Sequence, residues 1–290
     1  MNIAEIINRL TLEQKVKLLS GKSFWETHDI PEVGLPSIFM SDGPHGLRKQ
    51  LDKADHLGLN KSHPATCFPT ASALANAWDV NLIEKVGSAL GKEAAHLQVS
   101  VLLGPGTNIK RNPLCGRNFE YFSEDPYLAG KIASSFIRGV EAQGVAACVK
   151  HFAANNQETK RNKIDSIIDE RALQEIYLQA FEMAVKEGHV STIMSAYNKL
   201  NGFYANENHH LLREILREKW GFNGVVVTDW GGENDRVQGL IEGNDIEMPS
   251  SFGETEKDIL EALRQGTLSE KYVDEAVVRL LRLIEKTKPS

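Results

Sequence analysis

Short, fully apolar runs that alternate with amphipathic helical segments limit the folds open to this chain of 290 residues. The apolar runs cover residues 38–40, 99–103, 145–149, 192–196 and 225–228. Helical patterns occupy residues 81–95, 126–143, 173–184, 208–219 and 256–265, with apolar side chains at i, i+3, i+4 spacing. Such an alternation predicts a parallel sheet that is covered by helices on both faces.

Within the α/β class, the sequence favours a closed barrel. No G-x-G-x-x-G motif follows the first apolar run, so a dinucleotide-binding doubly wound sheet has little support. Barrels of roughly 250 residues usually form one domain. We predict a (β/α)8 TIM-like barrel in a single domain, with a capping box at Thr11 and Gln14 in the first helical region. The charged, glycine-rich stretch 49–64 is expected to be a surface loop.

Composition and charge argue against several classes of function. The formal net charge of −6 is spread along the chain, which speaks against a nucleic-acid or anionic-membrane partner. No stretch approaches the roughly 18 apolar residues of a membrane span, and the first residues lack the apolar core of a secretory signal. The 3 cysteines form no C-x-x-C pair, and the adjacent His209 and His210 lack zinc-site spacing. We therefore expect a cytoplasmic protein with no metal and no cofactor.

Polar residues follow four of the apolar runs. They are Asp42, Lys150 with His151, Tyr197 and Asp229. In a parallel α/β barrel the carboxyl ends of all strands open onto one face, and that face carries the active site. We therefore expect these side chains to converge at one mouth, with Asp229 as the candidate nucleophile.

Three of these residues have ordinary structural interpretations when each is considered alone. Asp42 could be a turn residue before Gly43 and Pro44. Lys150 could be a surface lysine whose stem packs on apolar groups, and His151 could be a core histidine with satisfied hydrogen bonds. The argument for a site therefore depends on their convergence.

The other candidates have similar alternatives. Tyr197 could pack with its hydroxyl in water, and Asp229 could cap a helix suggested by residues 234–241. Arg117 and Glu120 could form a salt bridge within a loop. These alternatives stay open at the level of the sequence.

Seven sequence blocks, spread over nearly the whole chain, occur in the order typical of one enzyme family. They are SDGPHGLR, GRNFEYFSEDP, KHFAANNQE, ERALQEIYLQAFEMAV, MSAYNKLNG, VVVTDWGG and GNDIEMPS. The chain resembles the N-terminal barrel domain of glycoside hydrolase family 3, and within it the β-glucosidase-like members. The resemblance implies a retaining glycosidase that hydrolyses β-D-glucosides or related oligosaccharides.

The resemblance also implies roles for individual residues. Asp229, in the T-D-W block, resembles the family's nucleophile, and Asp42 resembles the residue that holds the distal hydroxyls of the sugar. The other residues that the resemblance places around the sugar are Arg117, Lys150, His151, Arg161, Tyr197 and Trp230. A retaining glycosidase also needs a second carboxylic acid, about 5 Å from the nucleophile, to protonate the leaving oxygen.

The proton donor is where this sequence departs from the family. In β-glucosidase-like members the acid/base glutamate comes from a second, α/β sandwich domain, and residues 1–290 are expected to be the barrel domain alone. No motif marks a replacement among Glu120, Glu124, Glu158 and Glu247. We therefore expect weak activity on natural glucosides. A separate sandwich domain, or self-association through an apolar barrel mouth, is the expected protein partner.

Two other functions stay open. A catalytically silent sugar-binding or scaffold barrel would keep Asp42, Lys150 and His151 without turnover. A Schiff-base aldolase barrel would use Lys150, because such enzymes also carry a lysine at a strand end.

Overall fold

The computed structural model describes residues 2–51 and 60–287, which contain eight strands and ten α-helices. The strands are β1 Met40–Ser41, β2 Val101–Leu102, β3 Ala146–Phe152, β4 Asp165–Ser166, β5 Thr192–Ser195, β6 Lys199–Leu200, β7 Phe203–Tyr204 and β8 Val225–Thr228. The helices are α1 Ile3–Arg9, α2 Leu12–Leu18, α3 Ala71–Ala75, α4 Val80–His96, α5 Pro126–Glu141, α6 Glu170–Ala172, α7 Gln179–Lys186, α8 Arg236–Glu242, α9 Glu254–Gln265 and α10 Glu270–Lys286. Shorter 3-10 segments lie at Pro31–Val33, Asn118–Glu120 and Ala205–Glu207, and π-helical segments at Leu173–Tyr177 and His210–Lys219.

The main sheet is a ring of parallel strands. Its five regular members are ordered β1-β2-β3-β5-β8, and every neighbouring pair is parallel. Single bridges extend the ring beyond β8: Val227 with Ile246 and Glu247 with Ser20 are parallel, whereas Gly21 with Thr27 and Glu26 with Phe39 are antiparallel. Because Phe39 directly precedes β1, these bridges lead back to the first strand. The predicted TIM-like barrel is confirmed, although irregular segments complete the ring.

The apolar runs became the five strands of the ring; the run 225–228 matches β8 in both bounds, and the other four have shifted bounds. β1 and β2 are only two residues long, whereas β3 continues to Phe152. Lys150 and His151 therefore lie inside β3 and not after it, which corrects the predicted strand end. The pairing of β3 with β5 shifts register between Val149 and Phe152. This irregularity breaks the strict alternation of side chains, so two adjacent residues can face one cavity.

Amphipathic helices cover the sheet as their patterns predict. In α10, one stripe of Val273, Val277, Leu280, Leu281 and Ile284 is buried. The capping box of Thr11 and Gln14 is present at the start of α2. Helices α4 and α5 cross closely at Gly139, where a Cβ atom would lie 2.2 Å from the carbonyl oxygen of Glu84. That contact leaves no room for a side chain.

Other features differ from the sequence prediction or fall outside the described residues. The parallel pair β4-β6, extended by the antiparallel hairpin β6-β7, was not predicted. Within the predicted loop 49–64, residues 52–59 lie outside the described part, while Gln50 and Ser62 form a bridge across its base. Among the helices of residues 2–51 and 60–287, none combines the length and apolar character needed to cross a bilayer.

Candidate active site

All the predicted site residues line one cavity of about 370 Å³ at the carboxyl ends of the strands. They are Asp42, Arg117, Lys150, His151, Arg161, Tyr197, Asp229 and Trp230. The lining is completed by Trp25, Arg48, Leu103 and Met194. The structure therefore brings together side chains that are nearly 190 residues apart in the sequence.

An ion pair between Lys150 and Asp42 forms one wall of the cavity. Lys150 Nζ lies 2.8 Å from Asp42 Oδ1 and 3.9 Å from Glu120 Oε2, and only 4% of the lysine side chain is exposed. Burial alone would lower the pKa of Lys150, but the Asp42 and Glu120 carboxylates outweigh it and raise that pKa. Burial would likewise raise the pKa of Asp42, yet the Lys150 ammonium holds it below its usual value. Both groups are therefore charged, and Lys150 is not a surface lysine.

The buried ring of His151 has a defined tautomer. Arg117 Nη2 lies 2.9 Å from His151 Nε2, and Tyr121 Oη lies 3.1 Å from His151 Nδ1. Because a guanidinium can only donate, Nε2 must accept, and the ring proton sits on Nδ1 and faces Tyr121. Burial lowers the pKa of His151 well below its usual value, and the charges of Arg117 and Lys150 add to the effect. The imidazole is therefore neutral at physiological pH.

Arg117 connects the loop after β2 to this histidine. Its Nε donates to Glu120 Oε1, so the loop salt bridge that the sequence allowed does exist. The same guanidinium also reaches His151 and lines the cavity. Burial opposes its charge, but Tyr121 and the Glu120 carboxylate raise the pKa of Arg117 above its usual value. The structural and the functional interpretation of this residue are therefore compatible.

Asp229 directly follows β8 and has one free oxygen. Its Oδ1 accepts from the backbone N–H of Trp230 at 2.7 Å. Its Oδ2 is buried, makes no hydrogen bond within the described residues, and lies 3.6 Å from His151 Nε2. Burial raises the pKa of Asp229, and the positive charge of Arg117 partly opposes this. Helix α8 is capped by Asp235, so the helix-cap interpretation of Asp229 is wrong.

Tyr197, Arg161 and Trp230 form another part of the cavity wall. Tyr197 Oη donates to the carbonyl oxygen of Trp230 at 2.7 Å, so this hydroxyl is not simply solvated. The Arg161 guanidinium carbon lies 4.6 Å from the centre of the Tyr197 ring. The indole N–H of Trp230 donates to the Phe24 carbonyl, and its ring centre lies 5.2 Å from that of Trp25. Two indoles thus supply an aromatic surface beside Asp229.

Four lining residues were not predicted from the sequence. Arg48 belongs to the SDGPHGLR block and could have been found there, because it lies in the same turn as Asp42. Met194 is the first residue of the MSAYNKLNG block and could have been found in the same way. Trp25 lies in an irregular segment outside the recognised blocks, and Leu103 looks like any other apolar strand residue, so nothing in their local sequence separates these two from core residues.

The cavity offers carboxylates and cations beside an aromatic surface. This combination suits a ligand with many hydroxyl groups and apolar C–H faces, since carboxylates accept from hydroxyls and cations donate to them. Among the described residues, His, Cys, Asp and Glu side chains form no group arranged to hold a metal ion.

Comparison with known proteins places this geometry in a family. The signature of the glycosyl hydrolase family 3 N terminal domain matches residues 8–283. Thermostable beta-glucosidase B of Acetivibrio thermocellus is 56% identical over 98% of this chain and 38% of its own length. The exo-alpha-(1->6)-L-arabinopyranosidase of Bifidobacterium longum is 47% identical over 97% of this chain and 37% of its own length.

Solved structures agree with the sequence comparison. Beta-glucosidase 3B from Thermotoga neapolitana in complex with glucose superposes with a TM-score of 0.93 at 46% identity, covering 99% of this chain and 43% of that one. The beta-glucosidase from Kluyveromyces marxianus in complex with glucose gives 0.93 at 37% identity, covering 99% of this chain and 34% of that one. The chain thus spans roughly two fifths of the length of the two curated relatives.

Proposed function

Because the chain belongs to glycosyl hydrolase family 3, whose N-terminal domain it matches, we propose that it hydrolyses β-D-glucosides with Asp229 as the nucleophile. The observation that supports this most is the unpartnered Oδ2 of Asp229, beside a cavity that all the expected sugar-binding side chains line. The relatives named beta-glucosidases, and the similar structures that hold glucose, support the choice of substrate.

In the proposed reaction, Asp229 attacks the anomeric carbon and forms a covalent glycosyl ester while the glycosidic bond breaks and the leaving oxygen takes up a proton; water then hydrolyses the ester and releases the sugar and the free carboxylate. The attack requires an ionised carboxylate, and burial works against ionisation. The cations Arg117, Lys150 and Arg161 offset part of that cost. Oδ1 is held by the N–H of Trp230, which leaves Oδ2 to form the new bond.

The remaining side chains bind and orient the sugar. The Asp42 carboxylate, kept ionised by Lys150, accepts from sugar hydroxyls, while the Lys150 ammonium donates to them. The indole of Trp230 packs against the C–H face of the ring. The hydrogen bond that the Asp42 carboxylate accepts should strengthen as positive charge develops on the ring, because the sugar hydroxyl becomes a better donor, and this bond therefore favours the transition state over the bound substrate.

The same geometry limits which residues can protonate the leaving group. Among the described residues, the carboxyl groups that line the cavity are those of Asp42 and Asp229. Asp42 has a lowered pKa and a lysine partner, so it cannot hold a proton for the leaving group. Glu120 is paired with Arg117. We therefore propose that the acid/base lies outside residues 2–51 and 60–287, and expect these residues by themselves to act weakly on natural glucosides.

Substrates whose leaving groups need little protonation test this assignment of the acid/base. General acid catalysis contributes about 10²- to 10⁴-fold, so aryl glucosides with acidic leaving groups should react far faster than cellobiose. An activated 2-deoxy-2-fluoro-glucoside should label Asp229, as shown by peptide mass spectrometry, and Asp229→Asn should abolish the label. A label on another residue, or equal full-strength rates on cellobiose and an activated aryl glucoside, would contradict the proposal.

A sugar-binding barrel without turnover is the second candidate, because the described residues lack an acid at the cavity. Calorimetry with glucose separates it from the enzyme: binding without labelling of Asp229 favours this candidate. The Schiff-base alternative has little support, because such a lysine must lose its proton and the pKa of Lys150 is raised.

A further inference from the structure

The loop that carries Asp229 is held on its buried side by residues outside the cavity. Asn206, in the 3-10 segment Ala205–Glu207, is fully buried. Its Nδ2 donates to the carbonyl oxygen of Gly232 at 2.6 Å and to Glu233 Oε1 at 3.2 Å. The N–H of Gly232 in turn donates to the carbonyl oxygen of Asp229 at 2.8 Å. A continuous set of hydrogen bonds therefore links Glu233 to the backbone of Asp229.

We propose that Glu233 is a positioning residue for Asp229: its carboxylate orients the Asn206 amide, which fixes Gly232 and so sets where the Asp229 carboxyl points. Glu233 is not among the residues that line the cavity. The kinetic consequence rests on the proposed role of Asp229 as nucleophile, whereas the structural consequence does not.

Little positive charge lies near Glu233 to stabilise its ionised carboxylate. Its side chain is 5% exposed, and its Oε2 is buried without a hydrogen bond among the described residues. The nearest cation is Arg236, with Nη1 at 3.5 Å, but both terminal nitrogens of Arg236 already donate to backbone carbonyls. The other charged groups that act on this carboxyl are Glu247 and Glu207, and both are acidic.

This environment makes Glu233 sensitive to pH near neutrality. Burial raises the pKa of Glu233 to about 7; the positive charge of Arg236 opposes the rise, while Glu247 and Glu207 add to it. Above that pH the ionised carboxylate accepts a charge-assisted hydrogen bond from Asn206. Below it the carboxyl is protonated, and its hold on the Asn206 amide weakens.

Close packing around Gly232 should transmit a change in the Glu233–Asn206 hydrogen bond to the Asp229 carboxyl. A Cβ atom on Gly232 would lie 3.1 Å from the Tyr197 ring and 3.0 Å from the carbonyl oxygen of Asp229, so this loop cannot shift without moving its neighbours. Misplacement of a reacting group by about 1 Å can cost on the order of 10²-fold in rate. A loosened Gly232 should therefore slow attack by Asp229 while leaving the sugar-binding side chains in place.

Labelling of Asp229 by an activated 2-deoxy-2-fluoro-glucoside measures attack without requiring the acid. We expect Glu233→Leu to lower the labelling rate by about 10- to 100-fold, with the Kd for glucose changed by less than about threefold. Glu233→Gln offers Asn206 a neutral acceptor, as the protonated carboxyl does, so it should show the low-pH rate of the wild type at both pH 8 and pH 6. The wild-type rate should fall between pH 8 and pH 6 through a step that Glu233→Gln lacks.

A matched control is Glu141→Gln, which alters another buried carboxylate at the far end of α5 and should keep the wild-type pH dependence. A Glu233→Leu rate within twofold of the wild type, in a folded protein, would overturn the proposal. So would a step between pH 8 and pH 6 that persists unchanged in Glu233→Gln.

A measurement that needs no substrate can test the positioning role of Glu233 independently of the proposed role of Asp229 as nucleophile. Trp230 lies in the same loop, so its fluorescence should change with pH near neutrality in the wild type and not in Glu233→Gln, with Trp230→Phe assigning the signal. If Asp229 is not labelled but this change is present and lost in Glu233→Gln, the nucleophile assignment fails and the positioning role stands. If the change is absent, or persists in Glu233→Gln, Glu233 does not control the loop.

Discussion

The Nε2 atom of His151 lies 3.6 Å from Oδ2 of Asp229, yet the two atoms do not form an ion pair. Nε2 already accepts a hydrogen bond from Arg117, and the ring proton is on Nδ1. Two acceptors therefore face each other, and the carboxylate gains no proton or charge from the imidazole. In the proposed reaction, the imidazole therefore neither protonates nor hydrogen-bonds Oδ2, which stays available for attack.

His151 should remain neutral throughout the working range. Burial and the neighbouring cations lower the pKa of His151 well below its usual value, so we expect the imidazole to stay neutral at the pH where an ordinary histidine is protonated. His210 is the internal control, because its hydrogen bond to Glu214 raises its pKa. ¹⁵N-resolved NMR of the imidazoles should show an Nδ1–H tautomer for His151. Arg117→Met should raise the pKa of His151, and titration of His151 at the usual pH in the wild type would contradict this prediction.

Asp229→Asn should stabilise the fold while abolishing labelling. Burial raises the folded-state pKa of Asp229 above its unfolded value, so ionisation disfavours the folded state as the pH rises through that range. A neutral amide removes this cost, and we expect a gain of about 0.5–2 kcal/mol in the free energy of unfolding at pH 7. The gain should shrink in acid, where the wild-type carboxyl is protonated. Urea denaturation of both proteins at pH 7 and at an acidic pH measures this gain, and a loss of stability of Asp229→Asn at pH 7 would contradict the prediction.

The sequence predicted the convergence of the strand-end residues, because the strand ends of a parallel barrel share one face. Asp42, Lys150, Tyr197 and Asp229 could be assigned in this way, since each follows or ends an apolar run. Residues in long loops gave no such pattern. Arg117, Arg161 and Trp230 were assigned through the family resemblance.

Features that depend on tertiary contacts could not be predicted. The tautomer of His151 depends on Arg117, which reaches it from a different loop. The register shift in β3 is a property of strand pairing, so the sequence wrongly predicted that the strand ends before Lys150. Glu233 looks like an ordinary loop glutamate until its burial against Asn206 is seen. The cytoplasmic location remains a prediction.

The pair of Lys150 and Asp42 should behave as a unit in sugar binding. Lys150→Met and Asp42→Asn should each weaken glucose binding by about 10- to 100-fold, because each removes hydrogen bonds to charged groups. The double variant should lose less than the sum of the two free-energy changes. Calorimetry measures all three, and strict additivity would contradict the coupling.

The pH dependence of the same variants provides a second test. Lys150 keeps the pKa of Asp42 lowered, so wild-type binding should persist as the pH falls into the range where an ordinary aspartate becomes protonated. In Lys150→Met the carboxyl should become protonated at a higher pH, and binding should be lost sooner on acidification. If the wild type and Lys150→Met lose glucose binding at the same pH, the ionisation of Asp42 does not depend on Lys150.

A buried carboxylate far from the cavity mouth should be essential for stability. Asp245 is 0% exposed, lies 2.8 Å from Arg217 Nη2 and 2.9 Å from Arg279 Nε, and accepts from the N–H of Val226. Asp245→Ala leaves two arginines without this partner and should cost about 3–5 kcal/mol in the free energy of unfolding. Glu261→Ala, which breaks an exposed pair with Arg264, should cost about 0–1 kcal/mol. Urea denaturation of both variants checks this, and equal costs would contradict it.

Exposed apolar side chains on the loops of the barrel mouth should drive association. They include Leu114, which is 90% exposed, and Phe252, which is 92% exposed, together with Phe119, Ile167 and Phe203. Apolar surface of this kind is stabilised when a partner covers it, so we expect the chain to self-associate at high concentration or to bind a separately supplied sandwich domain.

The double variant Leu114→Ser, Phe252→Ser tests whether these side chains cause the association. Both residues lie outside regular elements and are almost fully solvated, so the fold should tolerate the change. Sedimentation velocity should show a lower average mass for the double variant than for the wild type at the same concentration. Ile176→Ser, on the outer helical layer, is the control and should leave the wild-type distribution unchanged. A wild-type chain that stays monomeric at high concentration and ignores the added domain would show that these loops are not a docking surface.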